Sequence, residues 1–323
     1  MIDNYVIISL FTSFFITVIL VKLLIPVLKR LKFGQRILEI GPSWHVSKQG
    51  TPTMGGIGFL IAVLLTCILF ALIFRDSFYL SILLSVMYAL LNGMIGIVDD
   101  LTKIKRKQNE GLSASVKFLL QLIAASVYVI VMVGHGFIST EIYVPFVKIS
   151  FDIGRLYYPF AIIFLCGFVN AVNLTDGLDG LCSSVTAAAV LFFALLAKSA
   201  DEMSGLVLAL SVLGACLGFL VFNYHPAKVF MGDTGSLFLG GAVSALALTC
   251  SKNTVLFIVG AVYLLEAISV ILQVGYYKMT KKRLFLMAPF HHHLEKKGLG
   301  EVKITLLFSF LTLVLSVFAF LFA

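Results

Sequence analysis

Charged residues are scarce in this chain: 12% of 323 residues, against 60% hydrophobic, with a mean hydropathy of +1.06. Soluble domains carry about 25% charged side chains, so the shortage excludes one and points to an integral membrane protein. Gly-Lys-Ser and Gly-Lys-Thr are absent, and the stretch from Gly50 to Gly56 completes neither a P-loop nor a dinucleotide fingerprint. The chain has no evident ATP-hydrolysing motor, so any reaction must be driven by an activated bond in its own substrate. Only five cysteines occur (Cys67, Cys166, Cys182, Cys216 and Cys250), all inside apolar stretches and without pairing or ligand spacing. They read as inert small hydrophobes and say nothing of redox compartment. No basic residue precedes the first apolar run, whereas Lys22, Lys29 and Arg30 lie at its far end, so it reads as a retained helix and not a cleaved signal peptide. No internal repeat is present.

A helix must cross about 30 Å of hydrocarbon to span a bilayer. Ten apolar stretches can do so, at about 5–28, 54–74, 78–98, 118–133, 157–172, 181–198, 204–222, 236–251, 254–277 and 303–323, the fifth and eighth being short enough to be shifted or bent. The expected fold is an all-α polytopic membrane protein, about ten helices in one bundle and a single domain over 1–323. The net charge of +8 follows this topology and not a nucleic-acid patch. Lys29, Arg30, Lys32, Arg36 and Lys48, then Lys103, Lys105, Arg106, Lys107 and Lys117, then Lys228, then Lys278 to Lys303 all fall in one set of loops; the opposite loops hold only Arg75, Lys148, Arg155, Lys198 and Lys252. By the positive-inside rule the first set is cytoplasmic, which puts both termini outside. An alternating stretch from Ile142 to Phe151, with Pro145 in it, predicts a small external hairpin.

Five of the sixteen acidic residues, Asp99, Asp100, Asp176, Asp179 and Asp233, lie where apolar runs end on the basic side. A carboxylate costs roughly 2.5 to 3.5 kcal/mol at a helix centre, so acids are kept at an edge or placed for a purpose. Asp99 and Asp100 repel by roughly 3 kcal/mol at about 5 Å and an effective dielectric of about 20. Lys103, four residues on, or a divalent cation would offset that; a solvated helix end with a local ion pair is the plainer alternative. In Asn170-Ala-Val-Asn173-Leu-Thr-Asp176-Gly177-Leu178-Asp179-Gly180 the amide oxygens and carboxylates are hard ligands suited to Mg²⁺. Capping and Asx turns would explain one or two of these four polar groups. Around Asn223, Phe230 and Gly232-Asp233-Thr234-Gly235-Ser236, exposed backbone N–H groups could meet an anion while Asp233 holds a metal, or the stretch is an ordinary glycine loop with a cap. His291, His292 and His293 cannot all face one ion on a regular helix, so phosphate or substrate oxygens suit them better than a transition-metal cage. Glu266 lies well inside an apolar span with Gln273 on roughly the same face, and a functional acid and a hydrogen-bonded structural one are equally open there.

Taken together, Gly50-Thr-Pro-Thr-Met-Gly-Gly56, Asp99-Asp100 with Lys103, Asn170 to Asp179, Asn223 to Asp233 and Met287 to Glu295 resemble the polyprenyl-phosphate N-acetylhexosamine-1-phosphate transferase superfamily over essentially the whole chain. The Ala-Pro-Phe-His-His-His-Leu-Glu run resembles its muramoyl-pentapeptide branch. The resemblance implies a bacterial cell-membrane enzyme with its site facing the cytoplasm, using UDP-MurNAc-pentapeptide and undecaprenyl phosphate with Mg²⁺ to give lipid I and UMP, and a homodimer. It also implies roles: Asp233 as principal Mg²⁺ ligand, Asp99 and Asp100 as base and as metal or lipid-phosphate organisers, and Asp176 as a further candidate ligand. Lys103 and Lys117 would neutralise phosphate; Lys48, Asn170, Asn173, Asp176 and Asn223 would hold the donor; Phe230 would stack on uracil while Gly177, Leu178 and Asp179 read its edge; His291, His292 and His293 would hold the donor's phosphate or sugar. A sister transferase using a GlcNAc-1-phosphate donor is the runner-up. A transporter or cation channel would want acids at the membrane midplane and an inverted repeat, and a lipid-binding scaffold would bind both substrates without turnover.

Overall fold

The structure, a computed structural model, describes residues 2–31, 48–74, 78–106, 108 and 110–322. Lys32, Arg36, Arg75 and Lys107 lie outside the described residues. A helix occupies each of the ten expected apolar stretches: α1 (Ile2–Arg30), α2 (Gly56–Phe74), α3 (Phe78–Arg106), α4 (Ala114–Gly134), α5 (Tyr157–Thr175), α6 (Leu181–Ser199), α7 (Met203–Asn223), α8 (Gly232–Thr249), α9 (Leu256–Val259) running into α10 (Ala261–Thr280), and α12 (Glu301–Phe322). The short α11 (Phe290–Lys296) precedes the last. The protein is an all-α polytopic membrane protein. Among the described residues, eight helices are long and apolar enough to cross a bilayer, and the segments Asn253–Val259 and Ala261–Thr280 make a ninth bent by 77°. The remaining one, α8, is enclosed by protein, with every residue from Thr234 to Thr249 buried. A helix that meets other helices and not lipid can carry Asp233, Ser236 and Ser244, which is why its sequence reads as a short span.

Three boundaries differ from expectation in a way that builds the site. The third span runs eight residues further, to Arg106, so Asp99, Asp100 and Lys103 stand on the last turns of a helix and not in a loop. The fourth begins at Ala114, capped by Ser113, whose Oγ accepts the Val116 N–H at 3.4 Å, and this puts Lys117 in a first turn. The eighth begins at Gly232, where a φ of 70° admits the chain to the helix and places Asp233 on its first turn.

α3 packs closely on α8. A Cβ on Gly96 would lie 2.2 Å from the Asp233 carbonyl oxygen, so only glycine permits this approach. The carboxyl ends of α3 and α5 and the amino ends of α4 and α8 meet at one end of the bundle through the polar contacts described below. At the opposite end β1 (Glu141–Val144) pairs antiparallel with β2 (Ile149–Asp152), the expected hairpin, with Ile142 opposite Phe151 and Val144 opposite Ile149. Its Tyr143 hydroxyl donates to the Phe322 carbonyl at the end of α12 at 2.9 Å.

Candidate active site

Asp99 and Asp100 are both buried, and adjacent positions on a helix turn them to different neighbours. Asp100 faces the amino end of α8. Its Oδ2 accepts the Thr234 N–H at 2.9 Å and the Thr234 hydroxyl at 2.8 Å, and its Oδ1 accepts the Asp233 N–H at 3.2 Å. A carboxylate placed there answers the unpaired N–H groups and the positive end of the helix dipole. Asp99 faces the α3–α4 connection, where its Oδ1 accepts the Leu112 N–H at 2.9 Å.

Asp233 completes the group. Its Oδ1 accepts from Asn173 Nδ2 at 3.2 Å, and the same amide donates to Ser236 Oγ at 2.8 Å. Lys117 donates to its Oδ2. Lys103 Nζ stands 2.7 Å from Asp99 Oδ2, 3.2 Å from Asp233 Oδ2 and 3.7 Å from Asp100 Oδ1. Three carboxylates thus face two ammonium groups. One oxygen each from Asp99, Asp100 and Asp233 can be chosen so that all lie within 4.8 Å of one another, and Asp99 Oδ2 is buried with an ion-pair neighbour but no well-aligned hydrogen bond. A small all-oxygen cluster carrying excess negative charge fits a hard divalent cation, which takes carboxylates and substrate phosphate together. Asp176, just beyond α5, sits beside this cluster. Burial first, then the charges of Asp233, Asp100 and Asp179, push its carboxyl up to about 8, so in the absence of a cation it keeps its proton near neutrality.

Asp179 and Lys48 belong to a second group. Lys48 Nζ donates to Asp179 Oδ1 at 2.7 Å and Glu301 Oε2 at 2.5 Å, while Asp179 Oδ2 meets His225 Nδ1 and the Ala227 N–H, each at 3.0 Å. These side chains, with Thr51 and Glu295, line a cavity of about 840 Å³ at the start of α12. Asn223 ties two loops together: its Oδ1 accepts the Gly180 N–H at 3.2 Å and its Nδ2 donates to the Val229 carbonyl at 2.9 Å. Phe230 is fastened to the 50–56 stretch through its backbone, donating to the Pro52 carbonyl and accepting the Gly55 N–H, each at 2.8 Å. The Leu178 side chain is buried in the core. Asn170 stands apart from the carboxylates, with its Nδ2 donating to Gln121 Oε1 at 2.7 Å and to the Cys166 carbonyl at 2.8 Å.

The three histidines take three directions, as a helical turn requires. His291 is buried, with Nδ1 3.1 Å from Glu266 Oε2, and its ring fills the space above Gly177, where a Cβ would fall 2.1 Å from Nε2. His292 Nδ1 meets Glu295 Oε2 at 2.6 Å. His293 Nδ1 accepts the Leu286 N–H at 3.1 Å, and its ring stacks on Phe290 at 5.4 Å. Glu266 is a hydrogen-bonded anchor: its carboxylate accepts the His291 backbone N–H at 3.2 and 3.3 Å. Gln273 clamps the same loop, accepting the N–H groups of Leu284 and Phe285 at 3.0 and 2.9 Å. Sequence reading missed Thr234, Ser236, Gln121 and Glu301 as partners of these groups. Thr234 and Ser236 lie in the stretch Gly232 to Ser236, whereas nothing local marks Gln121 or Glu301.

Residues 79–251 match the family model described as glycosyl transferase family 4. The phospho-N-acetylmuramoyl-pentapeptide-transferase of Geobacillus thermodenitrificans is 45% identical over 309 residues, covering 95% of this chain and 94% of the relative. Those of Clostridium novyi and Halalkalibacterium halodurans are 44% and 43% identical, covering 97% and 95% of this chain and 95% and 94% of the relatives. On this identity over nearly the whole length, and with the family model matching more than half of its residues, the chain belongs to the phospho-N-acetylmuramoyl-pentapeptide-transferase family and to glycosyl transferase family 4.

Proposed function

We propose that the chain transfers phospho-N-acetylmuramoyl-pentapeptide from UDP-MurNAc-pentapeptide to undecaprenyl phosphate, forming lipid I and UMP, in a bacterial cell membrane with the site facing the cytoplasm. The observation that carries this reading is the meeting of Asp99, Asp100 and Asp233 with Lys103 and Lys117 at the basic end of the bundle. A water-soluble nucleotide sugar and a lipid phosphate can meet only at such a boundary, and the positive-inside rule assigns that boundary to the cytoplasm.

An oxygen of the lipid phosphate attacks the sugar-bearing phosphorus of the donor. The new P–O bond forms as the bond to UMP breaks, so one phosphoanhydride replaces another and no ATP is needed. Catalysis of this kind is positioning and charge stabilisation. Lys103 and Lys117 already converge on Asp233 Oδ2 and would exchange that carboxylate for phosphate oxygens. Asp99, less fully occupied by backbone donors than Asp100, would take the proton of the lipid phosphate, and Asp100 would hold α8 in register. Asp99, Asp100 and Asp233, with Asp176 beside them, would hold Mg²⁺, which when bound supplies neutralisation of diphosphate charge. Asn173 would orient Asp233, and the Lys48–Asp179 cavity and Phe230 would receive the nucleoside. Direct attack is favoured over a covalent aspartyl intermediate, and trapping a phospho-sugar adduct on Asp99 or Asp100 after rapid quenching would reverse that choice.

The test is Asp233→Asn. Loss of turnover together with loss of the Mg²⁺ response, in protein with a normal thermal midpoint, is the expected result; normal turnover would remove the assignment.

A further inference from the structure

The hairpin at the end of the bundle opposite the carboxylates carries an apolar surface that no part of the catalytic reading uses. It is inserted between the carboxyl end of α4 and the amino end of α5. One face, through Tyr143, is fastened to the protein: the Tyr143 hydroxyl donates to the Phe322 carbonyl, its carbonyl accepts from Thr254 Oγ1, and the Glu141 carbonyl accepts from Asn253 Nδ2 at 3.1 Å. All of β2 is exposed, and on the strand face away from Tyr143 its Ile149 and Phe151 are 58% and 48% exposed beside the partly buried Ile142 and Val144. The turn adds Phe146 and Val147, which are 54% and 61% exposed. Phe146 and Lys148 both have positive φ, 76° and 54°, a conformation side chains rarely adopt, so the turn holds an aromatic and a cation outward against their backbone preference.

What lies against this surface can be read from its neighbours. The Phe146 ring is 5.1 Å from Phe322 and 5.9 Å from Phe318, and Phe318 belongs to the row Phe310, Leu313, Val314, Val317 and Leu321 that α12 exposes along its length. The turn therefore continues a lipid-facing stripe past the end of its helix, and Lys148 follows where the stripe stops. Interfacial segments pair apolar and aromatic side chains with a flanking cation in this way. We propose that the hairpin is a membrane anchor, with Phe146, Val147, Ile149 and Phe151 seated at the acyl–headgroup boundary of the leaflet remote from the active site and Lys148 at the lipid phosphates. A second copy meeting this turn about a two-fold axis would bring the Lys148 side chains together, whereas anionic headgroups answer their charge. Lys252, whose ammonium stands 3.3 Å over the Tyr143 ring, already has its pKa lowered by burial and by the charge of Lys148. The anchor would steady the end of α12 and, through Asn253 and Thr254, the start of the bent α9–α10 pair.

The test uses the full chain with its only tryptophan replaced, Trp44→Phe, in phosphatidylglycerol-containing nanodiscs. Single tryptophans are then placed by Phe146→Trp, Ile149→Trp, Ser150→Trp and Phe151→Trp, and product formation confirms that each variant is folded. At 146, 149 and 151 the emission should be blue-shifted, quenched by lipids with a nitroxide near the headgroup and little affected by iodide. Ser150→Trp should be quenched less by lipid, giving a period of two along the strand. Adding Lys148→Glu should weaken lipid quenching at 146. Iodide quenching at all four positions would overturn the proposal, as would shielding from both quenchers that disappears at one copy per disc.

Discussion

Asp100→Asn should destabilise the protein as well as slow it, because Asp100 serves as the cap of α8. The aspartate accepts three hydrogen bonds from the first turn of that helix, from Asp233 N–H, Thr234 N–H and the Thr234 hydroxyl. Asparagine can keep its oxygen toward Thr234, and two charge-assisted bonds then become neutral ones, a loss of about 1 kcal/mol each. Its NH₂ must turn toward the Asp233 N–H, which loses its acceptor at a cost of about 1–3 kcal/mol. Removing the charge also forfeits attraction to Lys103 at 3.7 Å and relieves repulsion from Asp99 and Asp233, each at up to 4.8 Å. At an effective dielectric of about 20 the attraction is roughly 4.5 kcal/mol and each repulsion roughly 3.5 kcal/mol, so the relief returns about 2.5 kcal/mol. The net expectation is roughly 0.5–2.5 kcal/mol, or a fall in thermal midpoint of about 1–5 °C at about 2 °C per kcal/mol for a chain of this size. Thermal unfolding in detergent, followed by tryptophan-independent scattering or dye binding, measures it. Asp99→Asn, which disturbs one backbone donor, should lose turnover with a smaller shift. The double variant Asp100→Asn/Thr234→Ala should cost less than the two single changes added together, since they remove shared bonds. An unchanged midpoint in Asp100→Asn would refute the capping argument.

Asp176 links stability to pH. Its folded-state carboxyl, pushed up to about 8, lies above the ordinary value of 3.8, so the folded state binds its proton more tightly than the unfolded chain. Wild type should therefore lose stability relative to Asp176→Asn as pH rises from about 4 through about 8 and level off beyond, in metal-free buffer; a midpoint difference independent of pH would contradict this. Gly177→Ala drives a methyl group into the His291 ring, whose Nε2 would be 2.1 Å away, and should cost about 1–3 kcal/mol and most of the turnover. Adding His291→Ala removes the clash but also the ring that meets Glu266, so the double variant should cost less than the two single changes added together and should not regain turnover. Lys117→Met removes a preorganised positive group from Asp233 and should lower kcat about 100-fold, in line with the roughly 2.7–4 kcal/mol that such groups supply, measured by UMP release.

Composition and apolar length were enough to place a helix in each of the ten stretches, because hydrocarbon demands a minimum apolar run and because α8, enclosed by protein, is apolar all round. The ends of those helices were less legible. Asp99, Asp100 and Lys103 read as loop residues because charge ends a hydropathy run, yet the backbone stays helical to Arg106 once Lys103 pairs with the carboxylates. Asp233 was hidden in the same way by Gly232 and by a cap, Asp100, that comes from 133 residues earlier in the chain. Within the site, residue type and motif singled out the carboxylates and lysines that meet. Residue type alone does not separate Asp233 from Asp179, which lie in similar glycine-rich surroundings; the resemblance gives them different roles, and they join different groups. Asn170 and Asn173 share a helix face, but one turn changes the neighbour from Gln121 on α4 to Asp233 on α8. The partners of Glu266 are the backbone N–H and the ring of His291, 25 residues on, and nothing local to Glu266 marks them.

The central claim is that the Asp99–Asp100–Asp233 cluster transfers phospho-N-acetylmuramoyl-pentapeptide from its nucleotide to a lipid phosphate. Purified protein incubated with UDP-MurNAc-pentapeptide and undecaprenyl phosphate, with and without Mg²⁺, tests it most directly when UMP and glycolipid are followed together. Equal amounts of both products, formed only with Mg²⁺ and lost in Asp233→Asn, are expected. UMP without glycolipid, equal turnover in the absence of divalent cation, or reaction with UDP-GlcNAc in place of the muramoyl donor would contradict it.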